Sequence, residues 1–238
     1  MRWILAGLVL AAATTTEAQA QLALTPQEIL QACQAGDYPE CVHYADLLSG
    51  GRGVTQSNDE AVRILTGTCD NGYAPACTQL GIWNESGVQM NPNRERANSY
   101  FRRGCEMGSA EGCARLGTSY EQGTGVIQNS TNAVSYYRQA CGLGRQSSCV
   151  KLGTLFENGQ GVSQDRGRAA ALYLQACQEL DANGCVLLGN MYENGRGVDH
   201  DPDRAAALYR RPAKSGTSKP AAFRCREIGA PSRIPEAG

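Results

Sequence analysis

Ten of the eleven cysteines in this chain fall on a grid with a period of 36 residues. Cys33, Cys69, Cys105, Cys141 and Cys177 form one series. Cys41, Cys77, Cys113, Cys149 and Cys185 form a second, offset by eight. A fixed period between about 20 and 50 residues marks a chain built from copies of one supersecondary unit, each too small to bury its apolar face alone. The grid therefore constrains architecture before any other residue is read. It constrains function less, because repeat arrays mostly present surfaces on which something else binds.

Aligned on the grid, other positions recur. Before the odd-series cysteines come Ala61-x-x-Ile64-Leu65, Ala97-x-x-Tyr100-Phe101, Ala133-x-x-Tyr136-Tyr137, Ala169-x-x-Leu172-Tyr173 and, in a fifth copy, Ala205-x-x-Leu208-Tyr209. With the cysteine, the apolar spacing i, i+3, i+4, i+8 is one face of a helix. Four residues before each alanine stands Ser57, Asn93, Asn129, Asp165 or Asp201, each a good N-cap for that helix. After the even series come Cys77-x-x-Leu80-Gly81, Cys113-x-x-Leu116-Gly117-x-x-Tyr120-Glu121, Cys149-x-x-Leu152-Gly153-x-x-Phe156-Glu157 and Cys185-x-x-Leu188-Gly189-x-x-Tyr192-Glu193. This is a second amphipathic helix. A glycine inside a helix costs about 1 kcal/mol against alanine, so its recurrence on one face predicts a close helix–helix approach.

The links repeat as well. Gly51-Arg52-Gly53-Val54, Gly123-Thr124-Gly125-Val126, Gly159-Gln160-Gly161-Val162 and Gly195-Arg196-Gly197-Val198 follow second helices, where they read as C-caps and turns rather than phosphate-binding loops. Gly36, Gly72, Gly108, Gly144 and Gly216 stop the first helices, and Leu180 is the exception. Thr25-Pro26-Gln27-Glu28 is a capping box opening a shortened first helix. Nothing reads as a strand. The fold class is all-α, an α/α solenoid of about five helical hairpins over residues 21–229, with a flexible tail at 230–238. Pro212 interrupts the last first-type helix, and Ala213 takes its cysteine position.

Odd cysteines end first helices and even cysteines open second ones. The spacing predicts one disulfide per hairpin: Cys33–Cys41, Cys69–Cys77, Cys105–Cys113, Cys141–Cys149 and Cys177–Cys185. Each would add roughly 2–3 kcal/mol by constraining the unfolded chain. An alternative joins cysteines across the Gly-rich loop, such as Cys41 to Cys69, but strands Cys33 and sets Cys185 opposite Ala213. Only two histidines are present and there is no C-x-x-C, so no metal site and no cofactor is expected. Cys225 has no grid partner and is a candidate free thiol, either buried at a degenerate end of the array or paired between molecules.

The cysteines agree with the start of the chain. Met1-Arg2-Trp3, the apolar run Ile4 to Ala13 and the small-x-small Ala18-Gln19-Ala20 read as a signal peptide, residues 1–20, cleaved after Ala20. Disulfides persist in oxidising compartments. The expectation is a bacterial periplasmic or secreted protein with no membrane span after cleavage. With Lys+Arg 22 against Asp+Glu 23, the net charge is −1, which offers nothing to drive nucleic-acid binding.

The A-x-x-Y-Y-x-x-A-C of Ala133 to Cys141, the C-x-x-L-G-x-x-Y-E-x-G of Cys113 to Gly123 and the G-x-G-V turns resemble the Sel1-like repeat family. The closer resemblance is to its disulfide-rich exported branch, the Helicobacter-type cysteine-rich proteins. The tetratricopeptide repeat is a relative with a shorter period of about 34. The resemblance implies an adaptor that holds protein partners, and, for the cysteine-rich branch, penicillin binding with weak β-lactamase activity. A binder of cell-wall fragments would connect the two.

Candidate residues can be set against each reading. Ser148-Cys149-Val150-Lys151 is the single S-x-x-K, the spacing of a serine nucleophile and its base. S-D-N and K-T-G are absent, and Ser148 and Lys151 stand at positions that vary between copies, so a catalytic role is not expected. Asp199-His200-Asp201-x-Asp203 lacks the glycine and twelfth-position acid of a calcium loop; Asp201 reads as an N-cap. For a scaffold, Trp83 beside Asn84 is either an off-core binding anchor or a core residue in a shifted register. Arg102, Arg103, Arg138 and Arg210 follow the aromatic pair of the first helices and are candidates for contact with acidic partner residues. The main expectation is an exported protein-binding scaffold, more a non-enzyme than an enzyme. The alternative is a β-lactam-binding protein with weak hydrolytic activity.

Overall fold

Local sequence dictates the helix boundaries in the computed structural model of the chain, which describes residues 24–87 and 91–209. Eleven helices occur among these residues, and no strand: α1 (Pro26–Gln34), α2 (Tyr38–Gly50), α3 (Asn58–Asp70), α4 (Ala74–Ser86), α5 (Arg94–Glu106), α6 (Ala110–Gln122), α7 (Ser130–Gly142), α8 (Gln146–Asn158), α9 (Arg166–Gln178), α10 (Ala182–Asn194) and α11 (Pro202–Tyr209). The leader at 1–20, the tail at 230–238, Arg210, Pro212, Ala213 and Cys225 lie outside the described residues. The chain divides into two compact units, 1–64 and 65–238, with α3 carrying the boundary.

Helix starts follow the capping rule. Thr25 and Glu28 form the capping box. Asn93, Asn129 and Asp165 accept from the amides of Arg96, Asn132 and Arg168 at 2.8–3.0 Å. Ser57 and Asp201 do the same for Glu60 and Arg204. Ser57, Asn93, Asn129, Asp165 and Asp201 each also donate their own amide to a carbonyl nine residues back, as Asn129 does to Tyr120 and Asp165 to Phe156. That bond sets the corner between one hairpin and the next, and the sequence pattern did not disclose it.

In the first unit, Cys33–Cys41 joins α1 to α2 with a Cα separation of 4.5 Å. In the second unit, Cys69–Cys77, Cys105–Cys113, Cys141–Cys149 and Cys177–Cys185 each join the two helices of one hairpin, at Cα separations of 4.5–4.8 Å. The alternative pairing across the Gly-rich loop is therefore not formed. Every bridge ties the last turn of a first helix to the first turn of a second, the region where a hairpin otherwise relies on a short turn alone.

The core of the second unit is a run of small residues, leucines and rings. Leu116, Tyr137, Leu152, Tyr173, Leu188, Met191 and Tyr192 are all nearly inaccessible. The recurrent glycine of the second helices exists because a ring lies on it. A Cβ added at Gly153 would sit 2.6 Å from Tyr173 Cε1, and one at Gly117 2.9 Å from Tyr137 Cδ1. Gly189 has the same relation to Tyr209, and Gly81 to Phe101. The expected close approach is thus between the second helix of one hairpin and the first helix of the next. The G-x-G turns close a different contact. Gly125 has φ +67°, and a Cβ there would come within 2.7 Å of Arg94 at the start of α5.

Leu180 breaks the glycine rule at a backbone cost. It adopts φ 68°, the left-handed region, where the other copies place glycines. Open space surrounds those glycines: a Cβ at Gly36, Gly72, Gly108 or Gly144 would meet nothing within 4 Å. Conformation alone selects glycine there, and a left-handed L-residue costs roughly 1–2 kcal/mol. Since the Leu180 side chain is 55% exposed, little packing is lost on its removal. Leu180→Gly is expected to raise stability by about 0.5–1 kcal/mol, after the looser unfolded chain is counted. Denaturant unfolding checks this, and a loss of stability would contradict it.

Candidate binding face

Each ring that sits on a glycine is also clamped at its hydroxyl. The Tyr137 hydroxyl donates to Glu121 Oε2 at 2.7 Å and lies 2.9 Å from Thr118 Oγ1. Tyr173 repeats this with Glu157 at 3.0 Å and Thr154 at 3.1 Å. Tyr209 repeats it with Glu193 and Asn190. Burial, then the adjoining carboxylates, holds the Tyr137 hydroxyl well above its usual pKa range and pushes Tyr173 up to about 12. Where the ring is Phe101 there is no hydroxyl. The threonine position is then Ile82, and Glu85 turns instead to Arg115 at 2.7 Å. These conserved-in-repeat carboxylates belong to the stacking machinery and are not free for chemistry.

Outside that seam, the second unit presents a row of arginines beside rings. Arg102 Nη2 donates to the Tyr120 hydroxyl at 3.4 Å. Tyr120 stacks on Tyr136, with centroids 5.5 Å apart and planes 8° from parallel. Hydrogen bonding to Tyr120, then to Tyr136, favours the charged form of Arg102 and raises its pKa further. One repeat on, Arg138 lines a groove with Phe156, Val162, Gln164, Asp165 and Arg168. The Arg168 guanidinium lies 5.7 Å over the Phe156 ring and pairs with Asp165 at 3.2 Å. Arg204 lies over Tyr192 in the same way.

The remaining candidate residues have other placements. Arg103 is taken up structurally: it pairs with Asp70 at 2.6 Å and donates to the Cys69 carbonyl. Trp83 is only 4% exposed, so its indole packs inside and offers no open anchor. Its neighbour Asn84 is also buried and donates to the Leu80 carbonyl. Asp201 is spent as an N-cap and in an ion pair with Arg204 at 3.0 Å. No three His, Cys, Asp or Glu side chains converge as a metal site among the described residues.

Ser148 and Lys151 are not brought together. Ser148 is 2% exposed, while Lys151 stands in solvent with Nζ 3.8 Å from Glu121 Oε2. The Ser148 position is not the variable surface that its substitutions suggested. Its counterparts Ala76, Gly112 and Gly184 are all small. A Cβ at Gly112 would lie 2.9 Å from the Phe101 carbonyl, and one at Gly184 2.7 Å from Ala176 Cβ. The slot faces the first helix of its own hairpin and admits only a small side chain. Sequence reading missed this because the crowding helix is not visible in a list of substitutions.

The family model of the Sel1 repeat matches five stretches, 41–73, 74–109, 110–144, 146–179 and 182–216. The chain belongs to the Sel1 repeat family. The matched unit is phased one helix later than the disulfide hairpin, so 74–109 holds α4 and α5, the pair joined by the ring on Gly81. Among solved structures, a protective antigen of uropathogenic Escherichia coli displaying an SLR fold is 26% identical with a TM-score of 0.71. The match covers 76% of this chain and 39% of the antigen, so this chain spans well under half of that protein. A Sel1 repeat protein from Oxalobacter formigenes is 24% identical, with TM-score 0.69, over 82% of this chain and 77% of that one. Helicobacter pylori cysteine rich protein B is 29% identical over 58% of this chain and 99% of its own, with TM-score 0.46. No curated protein matches the chain.

The small slot makes a prediction. Ser148→Ala is expected to change stability by less than about 1 kcal/mol, while Ser148→Val costs about 1–3 kcal/mol by overpacking. Thermal melts of the two variants check it; equal melts would contradict the buried slot.

Proposed function

We propose that this protein is an exported scaffold of the bacterial envelope that holds a protein partner against the exposed face of its second unit. The observation that supports the export half is one disulfide in each of five hairpins, a density characteristic of oxidising compartments. The leader expected at residues 1–20 agrees with it. No helix among the described residues is long and apolar enough to cross a membrane. Sel1 repeat proteins as a class bind proteins, and the rigid frame here leaves charged and aromatic side chains on its surface for that use.

The β-lactam reading depends on Ser148 acting as a nucleophile. A nucleophile must be reachable by substrate and within hydrogen-bond distance of its base, and Ser148 is buried with Lys151 turned to Glu121. The scaffold reading is therefore the stronger. Its test is a photo-crosslinking residue placed at exposed Ser135, one turn before Arg138, in the exported full chain, with fluorescent penicillin run on the same oxidised protein. The expected result is a discrete crosslinked protein adduct and no covalent penicillin label. Label that disappears in Ser148→Ala would overturn the scaffold reading in favour of an acyl-enzyme.

A further inference from the structure

The arginine row has a chemistry that selects its partner. Of the ion pairs among the described residues, none uses Arg102 or Arg138. Arg63, Arg103, Arg115, Arg145, Arg168, Arg196 and Arg204 each have a carboxylate. Arg52, Arg94, Arg96 and Arg166 also form no ion pair, but among the unpaired ones only Arg102 and Arg138 recur at one position in consecutive described repeats. Glu106, one turn beyond Arg102 on α5, makes no ion pair with it. Arg102 is held only by neutral tyrosine hydroxyls. Beside Arg138, a groove of about 400 Å³ contains two guanidiniums and one carboxylate, and that carboxylate, Asp165, is already committed to capping α9 and to Arg168. Each of these two repeats therefore presents, beside an aromatic ring, a guanidinium with no ion pair.

We propose, on the scaffold reading above, that these two arginines dock an extended acidic segment of the partner protein, with one carboxylate on Arg102 and the next on Arg138. Repetition sets the spacing. The two arginines occupy the same position in consecutive hairpins, on α5 and α7, and α6 packs against both helices. Their separation is therefore more than one helix spacing of about 8–10 Å and at most about two. An extended strand rises about 3.3 Å per residue, so carboxylates about four to six residues apart span one repeat. The motif is an acidic residue, about three to five spacers and a second acidic residue. The half-buried, stacked Tyr120–Tyr136 pair lies beside the path and accepts apolar spacers. A guanidinium forks onto a carboxylate with two parallel donors, and rings alongside exclude water from the pair. Leu174 stands in the next equivalent position and is buried, so within the described residues the row is two arginines long.

The test is fluorescence anisotropy on the oxidised full chain with a labelled nine-residue peptide carrying two aspartates five positions apart, and its asparagine counterpart. The aspartate peptide is expected to bind and to weaken as salt rises. Arg102→Gln and Arg138→Gln are each expected to lose about tenfold in affinity. Both side chains are exposed, and circular dichroism checks that the variants stay folded. A peptide with adjacent aspartates is expected to respond to only one of the two substitutions. Equal binding of the asparagine peptide, or binding indifferent to both substitutions, overturns the proposal. So does tighter binding of a single-stranded oligonucleotide, which would make the row a general polyanion site. A crosslinked partner retained by the double variant overturns the arginine row but leaves the scaffold reading standing, whereas loss of every adduct in the unmodified chain removes the scaffold reading itself.

Discussion

The seating of an aromatic ring on a glycine one helix away is the contact on which the repeat frame of the second unit depends. A helix surface normally keeps its neighbour 8–10 Å off through its side chains. At Gly81, Gly117, Gly153 and Gly189 there is no side chain, and the ring of the following hairpin fills the gap. Where the ring is Tyr137, Tyr173 or Tyr209, it also carries its hydroxyl to a threonine or asparagine and a glutamate on the same second helix. Packing and polar satisfaction are met by one side chain, which is economical in a chain with three phenylalanines and two tryptophans. The first copy departs from the rule on both sides in sequence: Ala45 replaces the glycine and Leu65 stands at the ring position.

Disulfides and rings divide the work. A bridge of eight-residue separation lies within a hairpin and ties its two helices at the turn. It does nothing to hold one hairpin against the next. The ring on glycine, the N-cap amide bonded across the corner and the ion pairs from Glu85 to Arg115 and Glu157 to Arg196 do that. The phase of the matched family repeat follows the second set of contacts, with each unit enclosing a second helix and the first helix that follows it. The surface is what remains after both sets are satisfied, and Arg102 and Arg138 stand out there because they recur at one position in consecutive repeats, beside aromatic rings and without an ion pair.

Much of this was legible in the sequence because it is local and periodic. Caps such as Asn129 and Asp165, the glycine stops and the pairing of Cys105 with Cys113 follow from spacing within one copy. What spacing hides is contact between copies. The bond from Tyr137 to Glu121 links residues sixteen apart on different hairpins, and only the folded stack puts them together. Trp83 and Ser148 were ambiguous for the same reason. Whether a position faces solvent or a neighbouring backbone is decided by the helix opposite, and Ser148 turned out to fill a slot that tolerates nothing larger than a small side chain. The arginines divided by neighbours invisible in the pattern: Arg103 meets Asp70, while Arg138 shares its groove with an Asp165 already paired to Arg168.

The measurement that tests this account most directly is a double-mutant cycle on the ring and its glycine, Gly153→Ala and Tyr173→Leu, followed by denaturant unfolding. Alone, Gly153→Ala forces a methyl into the Tyr173 ring and is expected to cost about 1–3 kcal/mol. Alone, Tyr173→Leu empties the seat and loses the hydroxyl clamp, at about 2–4 kcal/mol. Together they recreate the alanine–leucine combination that the first copy carries. The account predicts that the double variant recovers at least about 1 kcal/mol of the summed loss. Strict additivity would mean that the two residues do not share one contact, and the stacking argument would fall.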